Sequence, residues 1–162
     1  MKNIKKIILI ATAMILFYSY SFAQSDSIET KTRMKNTVFV EIFGNSFFLY
    51  NVGYDRILMS KGKRNISAGL GTQVIDGEFS LSPQVNYFYG IKHHIETGIG
   101  FTYYFISDCY IIPVRIGYRY QKPEGGLLIK VALTPFYGRN IPFDNSNFMP
   151  WAGLTLGWTF KN

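Results

Sequence analysis

One cysteine, Cys109, and two adjacent histidines, His93 and His94, are all the chain offers of the residues that most often bind metals or attack substrates. A single thiol forms no internal disulfide, so stability in an oxidising compartment must come from another source. Two neighbouring histidines on a strand point to opposite faces, and no further cysteine or histidine is present to complete a ligand set. No metal site and no cofactor are therefore expected. After residue 23 no apolar run approaches the ~20 residues of a membrane-spanning helix. No segment shows helical periodicity either. Gly69-x-Gly71 and Gly98-x-Gly100 lie inside alternating segments and do not extend to a dinucleotide fingerprint.

The start of the chain reads as a secretory signal. Lys2, Lys5 and Lys6 precede an apolar stretch from Ile7 to Phe17, and Ser21-Phe22-Ala23 sets small residues at the usual cleavage spacing. The competing reading, an N-terminal membrane anchor, suffers from the short apolar run. No cysteine lies near the cleavage point, which excludes lipid attachment there. Removal of residues 1–23 leaves 139 residues, enough for one domain, and lowers the net charge from +7 to +4. No nucleic-acid partner is expected, because no basic run with interleaved aromatics remains. Residues 24–36 read as a polar leader, and 37–162 as the folded domain.

What is abundant is period-two alternation. Eight segments carry it: Thr37–Phe43, Phe47–Ile57, Ile66–Val74, Phe79–Tyr89, His94–Tyr104, Tyr110–Gln121, Leu127–Tyr137 and Met149–Phe160. Turn signals separate them, including Gly44-Asn45-Ser46, the basic Ser60–Asn65 stretch and Lys122–Gly126. In the last segment one face is Pro150, Ala152, Leu154, Leu156, Trp158 and Phe160, and the other is Trp151, Gly153, Thr155, Gly157 and Thr159. Strands put successive side chains on opposite faces. Sorted this way, 37 positions on the apolar faces, ending at Tyr54 in the second segment, hold no charge, in a chain that is 17% charged. A Lys or Arg facing lipid at mid-depth costs about 2–4 kcal/mol, which accounts for the absence.

The expected fold is all-β: an eight-stranded antiparallel up-and-down transmembrane β-barrel. The opposite faces are rich in glycine and carry Glu41, Asp55, Glu96, Arg115, Arg119 and Lys130. Small inward residues favour a narrow barrel filled by its own side chains. Hairpin register places Glu96 near the Arg115–Arg119 part of strand six and Lys130 near Arg119. With eight strands both termini fall on the periplasmic side. Even-numbered strands end there in outward aromatics: Tyr54, Tyr87, Tyr89, Tyr118, Tyr120, Trp158 and Phe160. These form one girdle at headgroup depth. The opposite girdle, from Phe48, Tyr50, Phe101, Tyr103, Tyr110 and Tyr137, is more scattered.

Several segments carry a family resemblance: Val38–Gly44, Asn51-Val-Gly-Tyr-Asp-Arg56, Pro83–Gly90, Glu96-Thr-Gly-Ile-Gly100 and Pro113–Arg119. They resemble the small outer-membrane β-barrel proteins of Bacteroidetes-type bacteria, over nearly all of the mature chain. Gly157-Trp-Thr-Phe160 is similar to the terminal aromatic signal by which such barrels are recognised, though here Lys161-Asn162 follows. The resemblance implies a Gram-negative outer-membrane location and a barrel-assembly machinery as partner during biogenesis. It implies no shared activity.

Two readings of the lumen charges compete. One is an ion pathway, and the other a paired network that fills the barrel because isolated buried charge is expensive. Equal numbers of each sign favour the network, since a channel more plausibly shows one sign in excess. A lipid-modifying site would need Ser, His and acid together at the outer rim, whereas His93 and His94 fall at the periplasmic end. Cys109, placed in a loop, reads as incidental. No catalytic residue is expected. The expectation is a monomeric, non-enzymatic outer-membrane protein with a structural or interaction role, in contact with outer-membrane lipid. The alternatives are a soluble periplasmic barrel around an apolar ligand, a narrow pore, or a lipid-modifying barrel enzyme.

Overall fold

The computed structural model describes residues 33–46, 50–141 and 147–161. The signal segment, most of the leader, Phe48 and residues 142–146 lie outside them. Eight strands follow in chain order. They are β1 (Asn36–Phe43), β2 (Tyr50–Lys61), β3 (Arg64–Ile75), β4 (Glu78–Gly90) and β5 (His93–Gly100, resuming as Thr102–Tyr104). Then come β6 (Cys109–Gln121), β7 (Gly126–Leu133, resuming as Phe136–Arg139) and β8 (Phe148–Met149, resuming as Ala152–Phe160). Valine, isoleucine, tyrosine and threonine dominate them, the residues that pack best on a pleated surface. Every strand pairs antiparallel with its neighbours in sequence, and β1 pairs with β8 from Asn36↔Phe160 to Phe43↔Gly153. The sheet is therefore a closed meander with no free edge.

The stagger of this closure follows from the pairs. A walk from Arg139 passes through Tyr110, Tyr103, Leu81, Thr72, Val52, Val40 and Leu156 and re-enters β7 at Ile129, ten residues away. Eight strands with that stagger tilt by about 40° and enclose a backbone cylinder of about 8 Å radius. Each residue then climbs about 2.5 Å along the barrel axis. Such a cylinder has room for side chains and little else.

Alternation sorts the side chains to the two surfaces. Among the described residues 24 polar or charged residues are buried, against nine hydrophobic ones. Conversely, 32 large hydrophobic side chains are exposed. A water-soluble barrel shows the reverse. The alternative of an apolar lumen around a ligand is thereby overturned: the apolar face is the outer one.

Two turn expectations need correction. The basic stretch Ser60–Asn65 is almost entirely strand. β2 runs to Lys61 and β3 begins at Arg64, joined by Gly62-Lys63 with Gly62 at φ +56°. Polar side chains do not stop strands that extend into water and are already in register. A bulge between Ile57 and Met59 accompanies this extension and leaves both Leu58 and Met59 on the outside. Gly44-Asn45-Ser46 is also more than a hairpin turn. Phe43 and Gly44 take positive φ (61° and 71°), and the chain folds back into the barrel mouth. A Cβ on Gly44 would collide with the Glu41 carboxylate.

Candidate functional site: a filled polar lumen

The inward face of β6 supplies both lumen arginines, four residues apart and hence on one side of the strand. Arg119 spans the cavity. Its Nη1 donates to Glu96 Oε2 of β5 and its Nη2 to Asp55 Oδ2 of β2, each at 2.9 Å. Its Nε donates to Gln121 Oε1 at 2.8 Å, and its guanidinium lies 4.0 Å over the Phe88 ring. Arg115 donates to Glu41 Oε1 of β1 and to Asn45 Oδ1 (3.0 Å). Lys130 of β7 lies 3.3 Å from Glu96 Oε1, and Arg115 Nε lies 3.9 Å from the same oxygen.

The six charges sought in the sequence thus meet in one cluster contributed by five of the eight strands, all of them buried. Three acids face three bases, so the cluster carries no net formal charge. Glu96 lies opposite Gly117, between the two arginines, and Arg119 is the register partner of Lys130. The cross-lumen contacts, Glu41 with Arg115 and Asp55 with Arg119, arise from closure of the barrel.

The ends of the lumen are filled differently. Near the chain termini and the short turns, Ile57, Phe88, Leu128 and His94 are buried. His94 packs edge-on against Phe88 at 5.1 Å. Beneath it the Arg33 guanidinium approaches His94 Nε2 (3.2 Å) and donates to the Ile91 carbonyl. Gln121 donates to the hydroxyls of Thr159 (2.9 Å) and Thr37 (3.3 Å), which tie β6 to the β1–β8 seam. His93, one residue along, points outward and is exposed against Tyr118 and Tyr120.

At the opposite, loop end, Asn45 and Ser46 plug the mouth. The Asn45 N–H donates to Glu41 Oε2 (2.9 Å), its side-chain amide donates to Gln84 Oε1 (2.6 Å), and its carbonyl accepts from Thr102 Oγ1 (2.6 Å). Ser46 Oγ donates to Gln73 Oε1 (2.5 Å). In the sequence Asn45 and Ser46 read as ordinary turn residues, and nothing local marks them as inward-facing. Above them Tyr104, Cys109, Ile111 and Phe136 form an apolar cluster, with Ile141, Met149 and Trp151 against it. Cys109 is thus the buried first residue of β6, not a loop thiol. A cavity of about 150 Å³ opens beside the cluster, lined by Gln73, Asp76, Glu78, Ser80 and Tyr104 among others.

From the stagger, the outward aromatics fall into two belts about 20–25 Å apart along the axis. Tyr54, Tyr87, Tyr89, Tyr118, Tyr120, Trp158 and Phe160 make the belt at the turn end. Tyr50, Phe101, Tyr103, Tyr110 and Tyr137 lie toward the loop end, where Phe79, Phe105 and Phe148 extend the second belt. Between the belts the outer surface is aliphatic, as at Val40, Leu70, Val85, Ile99, Ile116 and Val131.

The fold resembles a solved structure, the N-terminal β-barrel domain of OprF from Pseudomonas aeruginosa. The superposition has a TM-score of 0.50 and 18% sequence identity, and covers 79% of this chain and 100% of that one. At this identity the likeness is one of fold. No family model and no curated protein matches the chain.

Proposed function

We propose that this protein is an integral barrel of a Gram-negative outer membrane whose lumen is closed, and that it works through its surfaces as a structural or interaction element. The observation that carries the reading is the outside of the barrel: an uncharged aliphatic band bounded by two aromatic belts. That pattern matches an apolar band of ~25 Å with interfacial girdles. The likeness to the OprF barrel domain supports the architecture. The Bacteroidetes type rests on the sequence segments alone.

On this reading the short turns and both described chain ends face the periplasm. The lumen speaks against a pore. It is filled by the neutral ionic cluster in the middle, by Phe88, Leu128 and Ile57 at one end, and by Asn45, Ser46 and the Tyr104 cluster at the other. Dry apolar constrictions oppose ion passage. We further propose that the protein is not an enzyme. His94 is enclosed by Phe88, Arg33 and Arg119, and His93 lies at the turn end, away from the outer leaflet.

Cell fractionation tests the location. The protein should sediment with the outer membrane, need detergent for release, and run faster on gels when unheated than when boiled. Recovery of folded protein from a periplasmic extract without detergent would overturn the reading.

A further inference from the structure

The two ends of the barrel differ in charge far more than the whole chain suggests. At the turn end Lys35, Lys61, Lys63, Lys92, Lys122 and Lys161 are all exposed, and Arg56 is exposed beside them. Glu124 is the one acidic side chain at that end among the described residues. At the loop end the balance reverses, with Asp76, Glu78 and Asp108 against Arg139. The lumen contributes nothing to this asymmetry, because its charges cancel. The lysines also lie just beyond the aromatic belt of that end, and Arg56 lies level with it. Lys92 Nζ stands 5.5 Å from the Tyr120 ring centroid. Gln121 pairs with Leu128, so Lys122 comes opposite Leu127, the register partner of Trp158. Lys35 and Lys161 flank the Asn36–Phe160 pair that ends the β1–β8 seam.

We infer that this rim is a docking surface for anionic phospholipid headgroups of the leaflet at the turn end. Charge and depth act together at this rim. Lysines next to an interfacial aromatic belt sit where lipid phosphates sit, and each near-surface cation attracts anionic lipid with an energy screened over about a Debye length. A ring of them selects anionic lipid around the barrel and fixes how deeply the belt rides. This inference rests on the membrane reading above.

The test uses the full mature chain in vesicles, with Trp151→Phe leaving Trp158 as the single tryptophan reporter at the cationic end. Vesicles are phosphatidylcholine with a minor fraction of phosphatidylglycerol, and one lipid or the other carries brominated acyl chains that quench tryptophan on contact. Brominated phosphatidylglycerol should quench Trp158 roughly twofold or more beyond its mole fraction. The excess should vanish in molar salt and in a Lys35→Gln/Lys122→Gln/Lys161→Gln variant. Quenching at the mole fraction would overturn the inference, as it would if the rim instead served an acidic protein or polysaccharide. An excess that survives the triple variant would also overturn it. Absence of quenching by either brominated lipid would overturn the membrane reading itself, which separates the two failures.

Discussion

Leu154→Arg puts the outer face to a quantitative test. Leu154 points outward from β8 between Ile42 and Val131, its register partners on either side, and all three are exposed. By the stagger it lies about 10 Å from either aromatic belt, near the middle of the band. A snorkelling arginine there still leaves its charge in hydrocarbon or thins the bilayer. The cost is about 2–4 kcal/mol, a factor of ~30 to ~1,000 in the folding equilibrium. The control is Ile106→Arg. Ile106 is 72% exposed in the loop beyond Tyr103, and a charge near the interface costs ~0–1 kcal/mol. The assay is reversible urea unfolding of both variants in lipid vesicles, followed by tryptophan emission and gel mobility. A Leu154→Arg protein within ~0.5 kcal/mol of wild type would refute the argument, because that is what an ordinary water-facing surface gives.

Five further outcomes follow from the filled interior. Glu41→Gln removes the carboxylate to which the buried Arg115 guanidinium donates, leaving it only Glu96 at 3.9 Å, and should cost about 3–5 kcal/mol in the same urea assay. Adding Arg115→Met to that variant should recover part of the loss, a coupling that a double-mutant cycle reads directly. Planar-bilayer recordings of the wild-type protein should show no steady single-channel current, and a sustained open level would mean the lumen plug is misassigned. Cys109 should resist maleimide labelling in the folded protein and label fully in urea, since it is 1% exposed within the Tyr104 cluster. Gly117→Val should destabilise the barrel by about 1–3 kcal/mol, because a Cβ there would collide with the Val131 carbonyl and stand 2.5 Å from the Ala132 backbone.

Most of the architecture was legible because a strand in the wall of a barrel meets two opposed environments, and alternation records both. The alternation read from the sequence is the alternation of exposure along the described strands, at Val85 and Gln84 or Ile116 and Arg115 alike, except that the outward side also holds the charged Arg56, which that reading left out. Contacts within a hairpin were also legible, as with Arg119 and Lys130, because a turn fixes register. Contacts across the lumen were not. Arg119 reaches Asp55 only after the barrel closes with its ten-residue stagger, and neither property is written in one hairpin. The inward fold of Asn45 and Ser46 was hidden for a related reason. Gly-Asn-Ser suits any turn, and its direction is set by Glu41, Arg115, Gln84 and Thr102, which lie on four different strands. Thr155→Arg illustrates the consequence. Alternation alone suggests a tolerant inward site, but Thr155 donates to Glu41 Oε1 at 3.0 Å and lies opposite Lys130. A second large cation there overfills the lumen and should be costly as well.

The central claim is that the alternating apolar face looks into lipid. Spin labels placed one at a time along β7 of a Cys109→Ser protein in vesicles, at Leu127, Leu128, Ile129, Val131, Ala132 and Leu133, report it directly. The account predicts high accessibility to dissolved oxygen and low accessibility to an aqueous nickel chelate at Ile129, Val131 and Leu133, with both low at Leu128 and Ala132. Ready access of the nickel chelate to Val131 and Leu133, or the loss of the period of two, would contradict it.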